Sequence, residues 1–143
     1  MQLPITGGCA CGAVRYECTA EPIMAVNCHC RDCQRASGSG YAPGTWFPAD
    51  AFRITKGRVK YHDIKVETGN TVSRGFCADC GAPLIAKNSS APLVIVRAGS
   101  LDDPSLHRPQ IDIWVSSAQP WDHMDPALPK YDTYPPGRSY TPP

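Results

Sequence analysis

Seven of the eight cysteines in this 143-residue chain fall into three short clusters. Cys9 and Cys11 are spaced C-x-C, Cys28, Cys30 and Cys33 form C-x-C-x-x-C, and Cys77 and Cys80 form C-x-x-C. Secreted disulfide frameworks scatter their cysteines through loops, whereas close pairs converge on one shared ion. Whatever fold this chain adopts must therefore bring these clusters to points where their sulfurs meet.

Spacing sorts the thiols. Residues i and i+2 of an extended segment point to one side, and C-x-x-C makes a tight knuckle whose sulfurs can reach one tetrahedral ion. Cys28, Cys30 and Cys33 combine both devices and are expected on a single ion. The remaining pairs, Cys9/Cys11 and Cys77/Cys80, then share a second site. The long gap between them is no obstacle, because loop-closure cost rises only logarithmically with length. Four thiolates close a tetrahedron, as in structural zinc sites, while three leave the open position of a catalytic one. All-sulfur donors favour zinc over magnesium, calcium or manganese. The expectation is two Zn²⁺ per chain, one in a structural four-cysteine site and one in an open three-cysteine site. Alternatives for the trithiol set are a second structural zinc completed by another residue, an iron–sulfur cluster, or metal-free thiols forming a reversible disulfide. Cys18 shares the parity of Val14 and Tyr16 in "AVRYEC" and reads as a small core residue.

Composition narrows the class. The formal net charge is +1 and the pI about 7.6, with no basic run, which argues against nucleic acid as a partner. No stretch of about 18 apolar residues is present, so no membrane span is expected. "MQLPITGGCACG" lacks the basic and apolar regions of a secretory signal. Clustered free thiols suit a reducing compartment, and the expected location is the cytoplasm.

Strand signals dominate the chain. "AVRYEC" and "QIDIWV" alternate, the latter placing Ile111, Ile113 and Val115 toward a core. "FRIT", "RVKYHDI" and "NTVSRGF" are short strand-like runs separated by "KG" and "ETGN" turns. "PLVIVRAG" is continuously apolar, as in a central strand, and a short helical turn is expected over 32–37. Fifteen prolines and twelve glycines suit a small, turn-rich, mainly β fold with short antiparallel sheets and little helix. One domain over 1–135 is expected, followed by a Pro-rich tail at 136–143. From Gln119 onward the chain reads as an irregular arm laid over the sheet.

Several residues near the trithiol set are candidates for handling a substrate. Arg31 and Arg35 could offset the excess charge of three thiolates and attract an anion. Ser37, Ser39 and Tyr41 follow in "ASGSGYAPG", read as a flexible loop that either positions substrate or simply turns. Trp121 in "QPWDHM" either walls the pocket or covers the core. His29 has opposite parity to Cys28 and Cys30 and is expected behind the ligands or in the core. His62, His107 and His123 read as surface or loop residues.

"GGCACGAVRY", "NCHCRDCQRASGSGYAPG", "FCADCGAPL", "GSLDDPS" and "DIWVSSAQPW" together resemble the blocks of the glutathione-dependent formaldehyde-activating enzyme family, also called the CENP-V/GFA domain. The resemblance runs from about Gly7 to Tyr134. It implies a β-tent fold with two zinc sites, with Cys9, Cys11, Cys77 and Cys80 as structural ligands and Cys28, Cys30 and Cys33 as catalytic ones. It also implies a carbon–sulfur lyase or synthase joining a thiol such as glutathione to a small aldehyde. Many members carry a histidine where this chain has Asp112. The rival reading, from a different class, is a non-catalytic zinc-stapled interaction module.

Overall fold

The structure, a computed structural model, describes residues 1–66 and 69–136. The tail from residue 137, and residues 67–68 of the "ETGN" turn, lie outside the described residues. Two sheets form. The smaller is antiparallel, with β1 (Ile5–Gly8), β2 (Arg15–Cys18) and β5 (Phe52–Lys56) in the order β1-β2-β5. The larger contains β3 (Met24–Cys28), β4 (Ala42–Pro48), β6 (Val59–Lys65), β7 (Thr71–Cys77), β8 (Pro83–Asn88), β9 (Leu93–Arg97) and β10 (Ile111–Ile113). Its order is β10-β3-β4-β9-β8-β7-β6, antiparallel throughout except that β10 lies parallel to β3. The one α-helix among the described residues, α1 (Arg31–Ser37), begins three residues after β3 ends. This is the mainly β, helix-poor chain expected, and no helix among the described residues could cross a membrane.

β9 occupies the middle of the larger sheet, which explains its unbroken apolar run: both of its faces are covered. Val94 and Val96 face the smaller sheet and pack with Val14, Tyr16, Cys18, Phe47 and Leu84. Leu93 and Ile95 face the other way and pack with Val26, Trp46 and Ile113. Cys18 is fully buried, and burial pushes its thiol up to about 12, in keeping with a core role.

Four strands carry no alternating signal in the sequence: β1, β3, β4 and β8. In β4 the reason is specific. Pro43 and Gly44 interrupt its pattern, yet Pro43 sits opposite Asn27 and Gly44 lies beneath Ile95, where a Cβ would come within 2.5 Å of Ile95 Cγ2. Only glycine permits that approach. The "GYAPG" stretch is therefore largely strand rather than flexible loop. A second correction concerns Val115. Trp114 takes the left-handed conformation (φ 58°), which ends β10, so Val115 starts a 3-10 turn and does not continue the alternation. The arm beyond Gln119 pairs beside β10: the Asp112 N–H donates to Pro129 O and the Tyr131 N–H to Asp112 O, each at 3.0 Å.

The loop after β9 is fastened by His107, a loop residue as expected, and half-buried. Its Nδ1 lies 2.9 Å from Thr45 Oγ1 and its Nε2 3.0 Å from Asn27 Oδ1. The amide oxygen can only accept, so the neutral ring donates from Nε2 and accepts the threonine hydroxyl at Nδ1. Burial lowers the His107 pKa below its ordinary value of 6.5. Between that lowered value and 6.5 the unfolded chain binds more protons, so stability falls as pH drops through this window. Urea unfolding at a series of pH values should show that loss, and the His107→Gln variant should have a flatter profile there.

Candidate metal centres and the cavity beside them

The first cluster is built by two hairpin turns. Cys9 directly follows β1 and Cys11 lies in the β1–β2 turn, not on an extended segment as its spacing suggested. The Cys9 N–H donates to Val14 O, and the Val14 N–H returns to Cys9 Sγ at 3.2 Å. That N–H, foremost, draws the Cys9 thiol down to about 6. Across the molecule Cys77 closes β7, and the Gly81 N–H donates to Cys77 O, with Gly81 in the left-handed region that this tight knuckle requires. The four sulfurs lie within 4.8 Å of one another. Cys9 and Cys11 are 3.6 Å apart, Cys11 and Cys77 3.8 Å. A tetrahedron of sulfurs around zinc has edges of about 3.8 Å, given a zinc–sulfur bond of about 2.3 Å. This donor set could hold a zinc ion.

The second cluster forms where β3 runs into α1. Cys28 ends the strand, Cys30 is the helix N-cap, and Cys33 lies one turn in, its N–H 3.3 Å from Cys30 Sγ. The three sulfurs lie within 4.8 Å of one another and could hold a second ion, with no fourth cysteine, histidine or carboxylate among the described residues joining them. Crowding splits their acidities. Neighbouring Cys28 and Cys30, then Arg97 and Arg74, hold Cys33 well below the ordinary thiol value, while Cys28 is pushed well above it by Cys30, Cys33 and burial.

His29 points away from these sulfurs, as its parity implied, and is 1% exposed. Its Nδ1 lies 2.5 Å from Asp122 Oδ2 and its Nε2 2.8 Å from Asp112 Oδ1. Lys130 donates to the other oxygen of Asp112 at 3.2 Å. Gln34 completes the brace, its Nε2 donating to His29 O and Ser117 O. The ligand loop is thus held from behind by β10 and the arm. The sequence reading left Asp112 unexplained and gave Asp122 and Lys130 no role.

In front of the trithiol set opens a cavity of about 540 Å³. It lies on the face of the larger sheet turned away from the smaller one. Val26, Trp46, Val72 and Ile95 form an apolar floor, with Trp114 and Tyr134 as an aromatic wall at 5.6 Å between ring centroids. Burial, followed by the nearby thiols, pushes Tyr134 up to about 12, so its hydroxyl keeps its proton at neutral pH. Four cations line the space: Arg31, Lys65, Arg74 and Arg97, against Asp32. Arg74 Nη2 lies 3.9 Å from Cys33 Sγ.

The expected substrate-handling residues divide. Arg31 lines this cavity. Arg35 is exposed in the last turn of α1 and does not line it. Ser37, Ser39 and Tyr41 line a neighbouring cavity of about 600 Å³ instead. Ser37 is held by its own turn, donating to Tyr41 O at 2.8 Å, and Tyr41 packs against His29. Trp121 is 61% exposed and neither walls the pocket nor covers the core. The charges beside the thiols come from Arg74 and Arg97, which the sequence reading missed. The available signals were the shared parity of Val72 and Arg74, and an arginine closing the apolar run of β9.

The sequence model of the glutathione-dependent formaldehyde-activating enzyme family matches residues 4–117. The chain belongs to this family. The match spans both cysteine sets of this GFA-family chain and ends before the arm that carries Asp122, Lys130 and Tyr134. A crystal structure of a Rhodobacter sphaeroides protein, a structural-genomics target, superposes with a TM-score of 0.58 at 19% identity. The overlap covers 89% of this chain and 99% of that one, and at such identity it speaks for the fold.

The buried charge cluster makes a direct prediction. Removing one partner strands the others, which costs about 3–5 kcal/mol for a buried ion pair. Asp112→Ala should lower the unfolding free energy by that order and Asp112→Asn by less. An Asp112→Ala protein as stable as wild type in denaturant would show that the cluster does not brace the loop.

Proposed function

We propose that this protein is a zinc-dependent carbon–sulfur lyase or synthase that joins a small thiol, with glutathione as the family's namesake, to a small aldehyde, and cleaves the adduct in reverse. The observation carrying this reading is the contrast between the two sulfur sets: four thiols close on themselves, whereas three stand at the wall of a cavity without a fourth donor among the described residues. On this reading Cys9, Cys11, Cys77 and Cys80 hold a structural zinc, and Cys28, Cys30 and Cys33 hold a catalytic one. A zinc ion held there would supply a thiophilic open position that keeps a thiol deprotonated at neutral pH.

The chain's own groups do the rest. Arg74 and Arg97 offset the negative charge of the trithiolate, which three thiolates on a divalent ion leave in excess. The floor of Val26, Trp46 and Ile95 excludes water from the reacting atoms. The Tyr134 hydroxyl, kept protonated, can donate to an aldehyde oxygen on which charge develops. The net reaction conserves every atom: the sulfur bonds to the carbonyl carbon, and the thiol proton ends on the carbonyl oxygen. The same geometry serves cleavage, in which the carbon–sulfur bond breaks and the hydroxyl proton returns to sulfur.

Two variants separate this enzyme from a metal-stapled interaction module. Cys33→Ala should leave a folded chain with one tightly held zinc and at least a hundredfold lower turnover of thiol and formaldehyde. Cys77→Ala should abolish cooperative folding, because structural zinc binding is itself folding free energy. Zinc per chain, circular dichroism and product formation read the two apart. Equal tolerance of both substitutions, with no turnover in wild type, would favour the module.

A further inference from the structure

The two arginines beside the thiols are not equivalent. Arg74 is engaged with Cys33. Arg97 is only 9% exposed and closes a strand that is otherwise apolar, yet its guanidinium makes no hydrogen bond or salt bridge to any described residue. A guanidinium carries a permanent charge and five N–H donors, and with no acceptor from the described residues these donors are left to whatever enters the cavities that Arg97 lines. The sheet holds it in place. Arg97 pairs with Gly44 on β4 and shares the face of Ile95. It lines both the trithiol cavity and the neighbouring one, and its charge is felt at Cys33. The exposed Arg31 and Lys65 at the same cavity add a positive field that draws anions inward.

We propose that Arg97 is a specificity-determining residue that seats a carboxylate of the incoming thiol, so that the cavity selects acidic thiols over neutral ones of the same size. The guanidinium fork matches a carboxylate in two parallel N–H···O bonds, an arrangement that a lysine does not reproduce. The acceptor that the chain does not provide is then brought by the substrate, with its sulfur at Cys28, Cys30 and Cys33. The inference rests on the reading of the trithiol set as an open thiol-binding centre, and it adds the recognition of the substrate's other end.

The test uses the full chain loaded with cobalt(II), whose absorption reports a thiol joining the three-cysteine centre. Two probes of matched size are 3-mercaptopropionate and 3-mercapto-1-propanol. Wild type should bind the acid about ten- to a hundredfold more tightly, the range of charge-assisted hydrogen bonds. Arg97→Gln should remove that preference, weakening the acid far more than the alcohol so that the two bind alike, and Arg97→Lys should keep part of it. Arg35→Gln, which deletes a charge outside the cavity, should change nothing. Equal binding of the two thiols by wild type, or an undiminished preference in folded Arg97→Gln, would overturn the proposal.

A second measurement needs neither a variant nor a thiol. In wild type the Arg97 Nε–H resonance should shift on titration with propionate and not with propionamide; no shift with propionate overturns the anion seat even if Arg97→Gln does not fold. Cobalt spectra indifferent to both thiols would instead sink the open-centre reading, and the propionate titration would still decide whether Arg97 binds a carboxylate.

Discussion

Four sulfurs brought together from two hairpin turns are the junction on which this architecture depends. Cys9 and Cys11 belong to the smaller sheet's first hairpin, Cys77 and Cys80 to the β7–β8 hairpin of the larger. Their meeting fixes how the sheets face each other, and the core forms between them. Tyr16 shows how tight that fit is: its hydroxyl meets Ser100 Oγ at 2.7 Å and runs beneath Gly7, where a Cβ would lie 2.3 Å from the phenol oxygen. Few side chains could span this gap without such a fastening. A chain of this size, with short strands and little helix, gains a firm frame from crosslinking turns that are distant in sequence.

With one face of the larger sheet committed to that core, the other is free to be a cavity. Alternation does the work. On β9, Val94 and Val96 go to the core while Ile95 and Arg97 go to the cavity, and on β4 Phe47 and Trp46 divide in the same way. The trithiol set sits at the end of β3 on the cavity side, where α1 begins. A strand end supplies Cys28, a helix cap supplies Cys30, and the first helical turn supplies Cys33. Backbone geometry thus brings three sulfurs together without using a residue from elsewhere, and that leaves the far side of the group open.

The sulfur sets were legible in the sequence because ligand spacing is a local property: C-x-C and C-x-x-C bring sulfurs together through one turn of backbone. The strands of regular alternation, such as β2 and β7, were legible for the same reason. β4 was not, since Pro43 and Gly44 mimic a loop and only the packing of Ile95 over Gly44 reveals why they are there. Arg74, Arg97, Asp122 and Tyr134 escaped because they enter the site through sheet register and the returning arm. Arg31 and Arg35 are close to the ligands along the chain, but a helix turns Arg35 outward, whereas Arg97, far along the chain, ends up facing the thiols. Proximity in sequence found the sulfur sets and misled about the charges around them.

The arm shows how a buried aspartate is held behind the site. At position 112 this chain has a buried aspartate between His29 and Lys130, with Asp122 on the other side of the imidazole. A carboxylate there suits both neighbours at once, because it accepts from the ring and from the ammonium. A histidine in its place would set two imidazoles against each other and leave Lys130 facing no charge. Asp112 therefore works together with the lysine of the arm, and the arm's backbone bonds beside β10 deliver that lysine to it. The loop that carries Cys28 and Cys30 is braced by electrostatics that the arm supplies, so the thiol set keeps its geometry while its side facing the cavity stays open.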